Sequence, residues 1–156
     1  MIHKSKAIHT KSLLAAVFMV ASVALCSCSY EDENGAENRT KQFAQDYFNL
    51  RFEQAASFCT DGSAKWIKYH ASNIRQEDID ILDSQTDTAT CEVDDFTSEG
   101  DSATAVIHVE NFLCCDSIGR KSHICKNASF RVSLKRKNEV WLVHLDGPLE
   151  AENTDK

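Results

Sequence analysis

Five cysteines lie beyond residue 50: Cys59, Cys91, Cys114, Cys115 and Cys125, with His123 two residues before the last. Sulfur and imidazole at short spacing support two chemistries. Thiols oxidise to disulfides, and thiolates with histidine hold zinc or copper. Cys114-Cys115 with His123-x-Cys125 matches no familiar zinc-finger or knuckle spacing, so oxidation is the expected chemistry and neither a metal nor a cofactor is expected. Cys59 and Cys91 form a second candidate pair. Five is odd, so one thiol stays outside any bridge unless it pairs between molecules. The histidines suggest less, and no catalytic residue is assigned. The chain shows no Ser-His-Asp order, no glycine-rich phosphate loop and no paired acids suited to acid–base work.

Oxidation requires export, and the N-terminus supplies a route. Lys4, Lys6 and Lys11 precede an apolar run, Leu13-Leu14-Ala15-Ala16-Val17-Phe18-Met19-Val20, that continues to Leu25. This is the pattern of a secretory signal, and it is short for a membrane span. The ending Leu25-Cys26-Ser27-Cys28 resembles a bacterial lipobox. The resemblance implies cleavage after residue 27 and lipidation of Cys28, hence a membrane anchor worth about 0.8 kcal/mol per buried CH₂. Residues 1–27 read as a cleaved lipoprotein signal, and 28–37 as the lipidated cysteine with an acidic tether. Residues 38–148 read as one domain and 149–156 as a disordered polar tail. The expected location is the cell envelope, as an outer-membrane lipoprotein on the periplasmic side or at the surface. The whole chain has 17 basic and 24 acidic residues; losing three lysines and no acid with the signal leaves it near −10. That charge excludes nucleic acid as a partner.

The elements that must position the cysteines are set by the apolar period. Asn38 can cap a helix carrying Phe43, Tyr47, Phe48, Leu50 and Phe52, with a break near Asn49-Leu50. A second helix is expected over about 63–71, and a third from Asn73 to Leu82 with Gln76 as a partial capping box. After Ser84 the period becomes two. A hairpin turn at Gly119-Arg120 pairs Ala105 with Leu134, Ile107 with Val132 and Val109 with Phe130. A turn at Lys137-Asn138 pairs Leu134 with Trp141, Val132 with Val143 and Phe130 with Leu145. Both turns select one apolar face. The first strand, about 88–96, needs a longer loop around Ser98-Glu99-Gly100 to bring Cys91 and Val93 onto it. The expected fold is α+β: N-terminal helices packed on one face of a four-stranded antiparallel meander.

In this register Cys114 faces Cys125 on the side away from the apolar face, while Cys115 and Cys91 point inward. His108, Arg131 and His144 form a row on the outer face. Asn111 and Lys126 reach the inner face beyond the packed layer, where polar groups on an apolar cavity suit a ligand. With Tyr47 and Trp141 they are the candidate ligand-binding residues. Asp87-Thr88-Ala89, Asp101-Ser102-Ala103 and Asp116-Ser117-Ile118 resemble O-glycosylation acceptors of some anaerobic Gram-negative bacteria.

The helix with Phe43-Ala44-x-x-Tyr47-Phe48 and the hairpin Ser133-Leu134-Lys135 to Val140-Trp141-Leu142-Val143 resemble the nuclear-transport-factor-2-like, cystatin-like superfamily. They resemble in particular its small bacterial envelope lipoproteins of unknown function. The resemblance covers residues 38–147 and implies a cystatin-like cone, a fold that hosts isomerases, dehydratases, transport adaptors and ligand binders. The expectation is a non-catalytic, lipid-anchored protein binding a small apolar ligand, a peptide or an envelope protein. An isomerase- or dehydratase-type enzyme and a homodimeric assembly factor are the alternatives.

Overall fold

The computed structural model describes residues 35–115 and 121–153. The signal segment, Cys28, most of the tether and the expected Gly119-Arg120 turn lie outside them. Helix α1 occupies residues 35–48 and buries Phe43, Ala44, Tyr47 and Phe48, a spacing of three and four that makes one apolar stripe. Residues 35–37 are already helical, so Asn38 does not cap it. The break falls where expected. Leu50 takes φ 58°, its N–H bonds Tyr47 O at 3.2 Å, and Arg51 N–H bonds Asp46 O at 2.8 Å. These are the two bonds of a Schellman ending, with leucine where glycine is usual. Asn49 reaches sideways instead: Nδ2 donates to Ala89 O at 3.0 Å and Oδ1 accepts from Ala89 N–H at 3.1 Å. The side chain thus pairs like a strand and fixes the end of α1 to the entry of the sheet.

Helix α2 (Phe52–Ser57), a 3₁₀ turn (Asp61–Ser63), α3 (Ala64–Asn73) and α4 (Gln76–Asp83) complete the helical layer. Asn73 closes α3 rather than opening the next helix. The start of α4 is held by Asp78, whose Oδ2 accepts from Arg75 N–H at 2.8 Å; an acid three residues into a helix satisfies a donor that the helix itself leaves orphaned.

The sheet comprises β1 (Thr90–Glu99), β2 (Ser102–Cys114), β3 (His123–Lys137), β4 (Val140–His144) and β5 (Ala151–Asn153). Its order is β1-β2-β3-β4, and β5 also pairs with β3. The meander is the expected one, and the helices cover its apolar face. The fifth strand replaces part of the expected disordered tail. Because β4 ends at His144, the edge of β3 near Phe130 would be left bare. Ala151 pairs there, and Arg131 Nε bonds Glu152 Oε1 at 2.6 Å.

The register differs from the sequence expectation by two residues in both hairpins. Ala105 faces Val132 and Ile107 faces Phe130, while Leu134 faces Val143 and Arg136 faces Trp141. In the second hairpin the reason is the turn. Asn138 and Glu139 take φ 50° and 65°, the two positive values of a type I′ turn, so Lys137 pairs with Val140. A slip of two leaves every side chain on its own face, which is why the core residues were right and their partners were not. Ile107, Val109, Val132, Leu134 and Val143 are all buried.

Strands β1 and β2 join through a two-residue turn at Gly100-Asp101, not the longer loop expected. Gly100 supplies φ 59°, and a bulge between Val93 and Asp95 absorbs the odd residue, so that Phe96 faces Ala105. Both sheet edges are protected. The long β1 edge carries the bulge and the exposed acids Glu92, Asp94, Asp95 and Glu99. The β4 edge is covered by the chain after α2: Thr60 N–H bonds Val143 O, and Val143 N–H bonds Phe58 O, each at 2.9 Å. Among the described residues, no helix is long and apolar enough to cross a membrane.

Candidate functional site

The far end of the β2–β3 hairpin departs from the alternation that builds the rest of the sheet. Burial falls on Ala103, Ala105, Ile107 and Val109, then passes to the adjacent pair Phe112 and Leu113. The switch is at Asn111, with φ 55°. Asparagine tolerates this left-handed conformation better than most residues, and one such residue is enough to rotate the remainder of the strand. Phe112 thereby turns onto the helical layer. It lies 5.4 Å from Phe48 and 5.5 Å from Phe130, centroid to centroid, and Phe48 lies 4.7 Å from Phe130. The space expected to present Asn111 and Lys126 is therefore filled by phenylalanine. Asn111 is half-buried and Lys126 is exposed.

The two-residue offset in register relocates the sulfur chemistry. Cys114 faces His123 and Phe112 faces Cys125, so Cys114 and Cys125 are diagonal rather than opposite. They are joined by a disulfide with Cα atoms 5.7 Å apart, inside the range such a bond requires. Both are half-buried and pack against the core, rather than lying on the face away from it. Cys115 is exposed instead of inward. His123 Nε2 is 3.6 Å from Cys125 Sγ, and the ligating atoms of Cys114, His123 and Cys125 all lie within 4.8 Å of one another.

Cys59 and Cys91 are separate buried thiols. Cys91 pairs with Val109 in β2, whereas Cys59 bridges to Val143 in β4. Roughly four inter-strand spacings of about 4.8 Å separate such positions, far beyond disulfide reach. Burial pushes both thiols up to about 12, with Glu92 adding to the effect at Cys91. Thiols held protonated in this way are poor nucleophiles and poor ligands.

Tyr47 and His70, on α1 and α3, are brought together. Their rings stack at 5.0 Å, and Phe52 meets each edge-on at 6.0 and 5.4 Å. Nothing in their sequence spacing identified His70 as the partner of Tyr47. Burial, reinforced by the nearby Cys115 and Cys59, raises the Tyr47 phenol above its ordinary value. Burial lowers His70. Both rings are thus held in their neutral forms. The fourth candidate ligand residue, Trp141, is buried elsewhere: its carbonyl accepts from Arg39 Nε at 2.7 Å, and the Arg136 guanidinium lies 6.0 Å from its ring. Tyr47 and Trp141 are therefore wall residues of the interior, while Asn111 and Lys126 belong to the hairpin end.

The outer row of His108, Arg131 and His144 does not form, because the two-residue offset separates its members. Arg131 faces Val106 and pairs with Glu152, and His108 lies 3.6 Å from Glu110. His144 Nδ1 is 3.0 Å from Thr60 Oγ1, and its Nε2 accepts from Lys135 Nζ at 2.9 Å. The first contact holds the 3₁₀ turn to β4, and the second joins β3 to β4.

Buried acidity is confined, among the described residues, to Asp78. Desolvation would raise its carboxyl, but hydrogen bonds from Ser122 and Arg75 N–H and the Arg75 charge outweigh it, so the group is held below the usual carboxylate range. Asp78 therefore links α4 to the start of β3 as a charged anchor.

The arrangement is α+β, with the helices on one face of an antiparallel meander. The chain is similar, at low identity, to solved structures. One is a Campylobacter jejuni protein whose designation as an NTF2-like transpeptidase is provisional. It is 17% identical, with a TM-score of 0.41, over 70% of this chain and 97% of that one. Another is an NTF2-like protein involved in plasmid conjugation. It is 9% identical, with a TM-score of 0.44, over 80% of this chain and half of that one. Both neighbours are NTF2-like proteins. No protein-family profile and no curated protein sequence significantly matches the chain.

Proposed function

We propose that this chain is a lipid-anchored envelope protein whose cone binds an apolar partner and carries out no chemistry. The ligand is a small apolar molecule or an apolar side chain of a peptide or envelope protein. The observation that carries this reading is the aromatic interior. Phe43, Tyr47, Phe48, Phe52, Phe112 and Phe130 run through it in ring contact, while its one buried acid among the described residues is committed to α4. Acid–base catalysis calls for a group that titrates near the working pH, and burial moves Tyr47 and His70 away from that condition. The anchor rests on the lipobox at Leu25–Cys28.

The test is native mass spectrometry of the full chain purified from envelopes. An apolar adduct that leaves on denaturation, and is weakened by Phe52→Ala, is expected. A bare chain at every concentration, together with turnover of any carbonyl or hydroxy-acid substrate, would overturn the reading. The anchor is tested separately: Cys28→Ser should abolish palmitate incorporation, and globomycin should cause precursor to accumulate. Unchanged processing in both would remove it.

A further inference from the structure

We propose that Cys114, His123 and Cys125 form a binding site for a soft monovalent cation, Cu(I), that exists when the sulfur pair is reduced and is closed when the pair is a disulfide. Strand pairing sets Cys114 across from His123, and the disulfide shows that Cys114 also reaches Cys125 diagonally. The three ligating atoms sit within 4.8 Å of one another, so small side-chain rotations bring them around one ion at metal–sulfur and metal–nitrogen distances of about 2.0–2.3 Å. A disulfide needs the two sulfurs only. The imidazole within reach of them is what a metal needs in addition.

The donor set decides the ion. Two soft thiolates and one borderline imidazole complete the shell of a three-coordinate Cu(I), whereas zinc would need a water as its fourth ligand. The surroundings agree: both sulfurs rest against the apolar core edge, and His123 is exposed, so a cation can enter from solvent through it. Opening the site requires a reductant, here an external dithiol. Two electrons and two protons pass from it to the Cys114–Cys125 bond, giving two thiols, and the donor leaves as its own disulfide. Cation binding then displaces the two thiol protons to water. The site thus reports the local thiol–disulfide balance as occupancy by metal.

The experiment uses the full chain, reduced with dithiothreitol, desalted without oxygen and titrated with Cu(I) against a chromophoric chelator. One Cu(I) per reduced chain, and none displaced from the chelator by the oxidised chain, is expected. X-ray absorption should report two sulfurs and one nitrogen. His123→Ala should weaken Cu(I) by about 10-fold or more, since even the loss of an outer-shell partner costs about 10–100-fold. Cys115→Ser should leave affinity unchanged. Because His123→Ala retains the sulfur pair, its disulfide, verified by mass under oxidising conditions, separates ligand loss from misfolding. Equal affinity of His123→Ala and the natural chain, a purely sulfur coordination shell, or tight retention of Zn(II) in place of Cu(I) would each overturn the proposal.

Discussion

The two ends of the β2–β3 hairpin are built from the same two strands and behave differently. The end nearer β4 alternates strictly: Ala105, Ile107, Val132 and Leu134 face the helices and are buried, and the residues between them, Val106 and Ser133, are on the other face and more exposed. The far end begins at Asn111, where one left-handed residue rotates the strand, and it carries the disulfide, His123 and Cys115. Regular alternation gives the first half a continuous apolar contact and no place for reactive groups. The interruption gives the second half both a core contact, through Phe112, and sulfur at the core's edge. Chemistry therefore collects where the strand stops being regular, and stability where it does not.

That contrast can be broken most sharply in the regular half. Leu134→Ala removes a fully buried side chain facing Val143 and should cost about 2–5 kcal/mol in urea unfolding. A loss under about 1 kcal/mol would mean that the half called stabilising is loosely packed. In the irregular half, Cys125→Ser opens a bridge across 11 residues and should cost about 2–3 kcal/mol. Reduction should lower the midpoint of the natural chain and leave that of the variant unmoved. Equal effects on both would detach the bridge from stability.

Asp78 ties α4 to the irregular half, at the start of β3. Asp78→Ala should cost about 1–2 kcal/mol at neutral pH. Because its folded pKa is depressed, the stability it provides is present above the unfolded carboxylate value near 3.8 and is lost as pH falls through the lower folded value. Asp78→Asn should flatten that acid limb. A smaller pH effect is expected from the helical layer. His70 is also lowered on folding, so the unfolded chain takes up a proton first as pH falls below about 6.5, and stability declines from there. In His70→Phe the slope of unfolding free energy between pH 7 and 5 should shrink; an unchanged slope would place the imidazole in solvent. The smallest effect has the opposite sign. Glu139 holds φ 65° in a turn that prefers glycine, and its ion pair with Arg136 is exposed. Glu139→Gly should stabilise the chain by about 0.5–1 kcal/mol, read as a higher thermal midpoint.

Legibility in the sequence divides along the same line. Helix α1 and the apolar face of β2, β3 and β4 could be read because periods of 3.6 and 2 are local properties. The face survived even a wrong register, since an offset of two changes partners and not sides. The candidate site could not be read in the same way. Asn111 carries no periodic signal that it will turn left-handed, although the adjacent apolar pair Phe112-Leu113 was a trace of it. Cys125 was matched with Cys114 through a register that the folded chain does not use, and the bond forms diagonally instead. Cys59 and Cys91 looked as eligible, until strand order placed three strands, β2, β3 and β4, between them.

By itself, the sequence determined the acidic balance, the helices-then-strands order and the identity of the core face. Each depends on residues close together in the chain. The tertiary structure alone decided that Tyr47 stacks on His70, that Asp78 meets Ser122, that β5 covers the bare edge of β3, and which cysteines come within reach of each other. Those outcomes turn on where distant segments meet. A two-residue turn at Asn138-Glu139 moves such meetings by whole residues, and a single backbone torsion at Asn111 turns the far end of a strand onto another face.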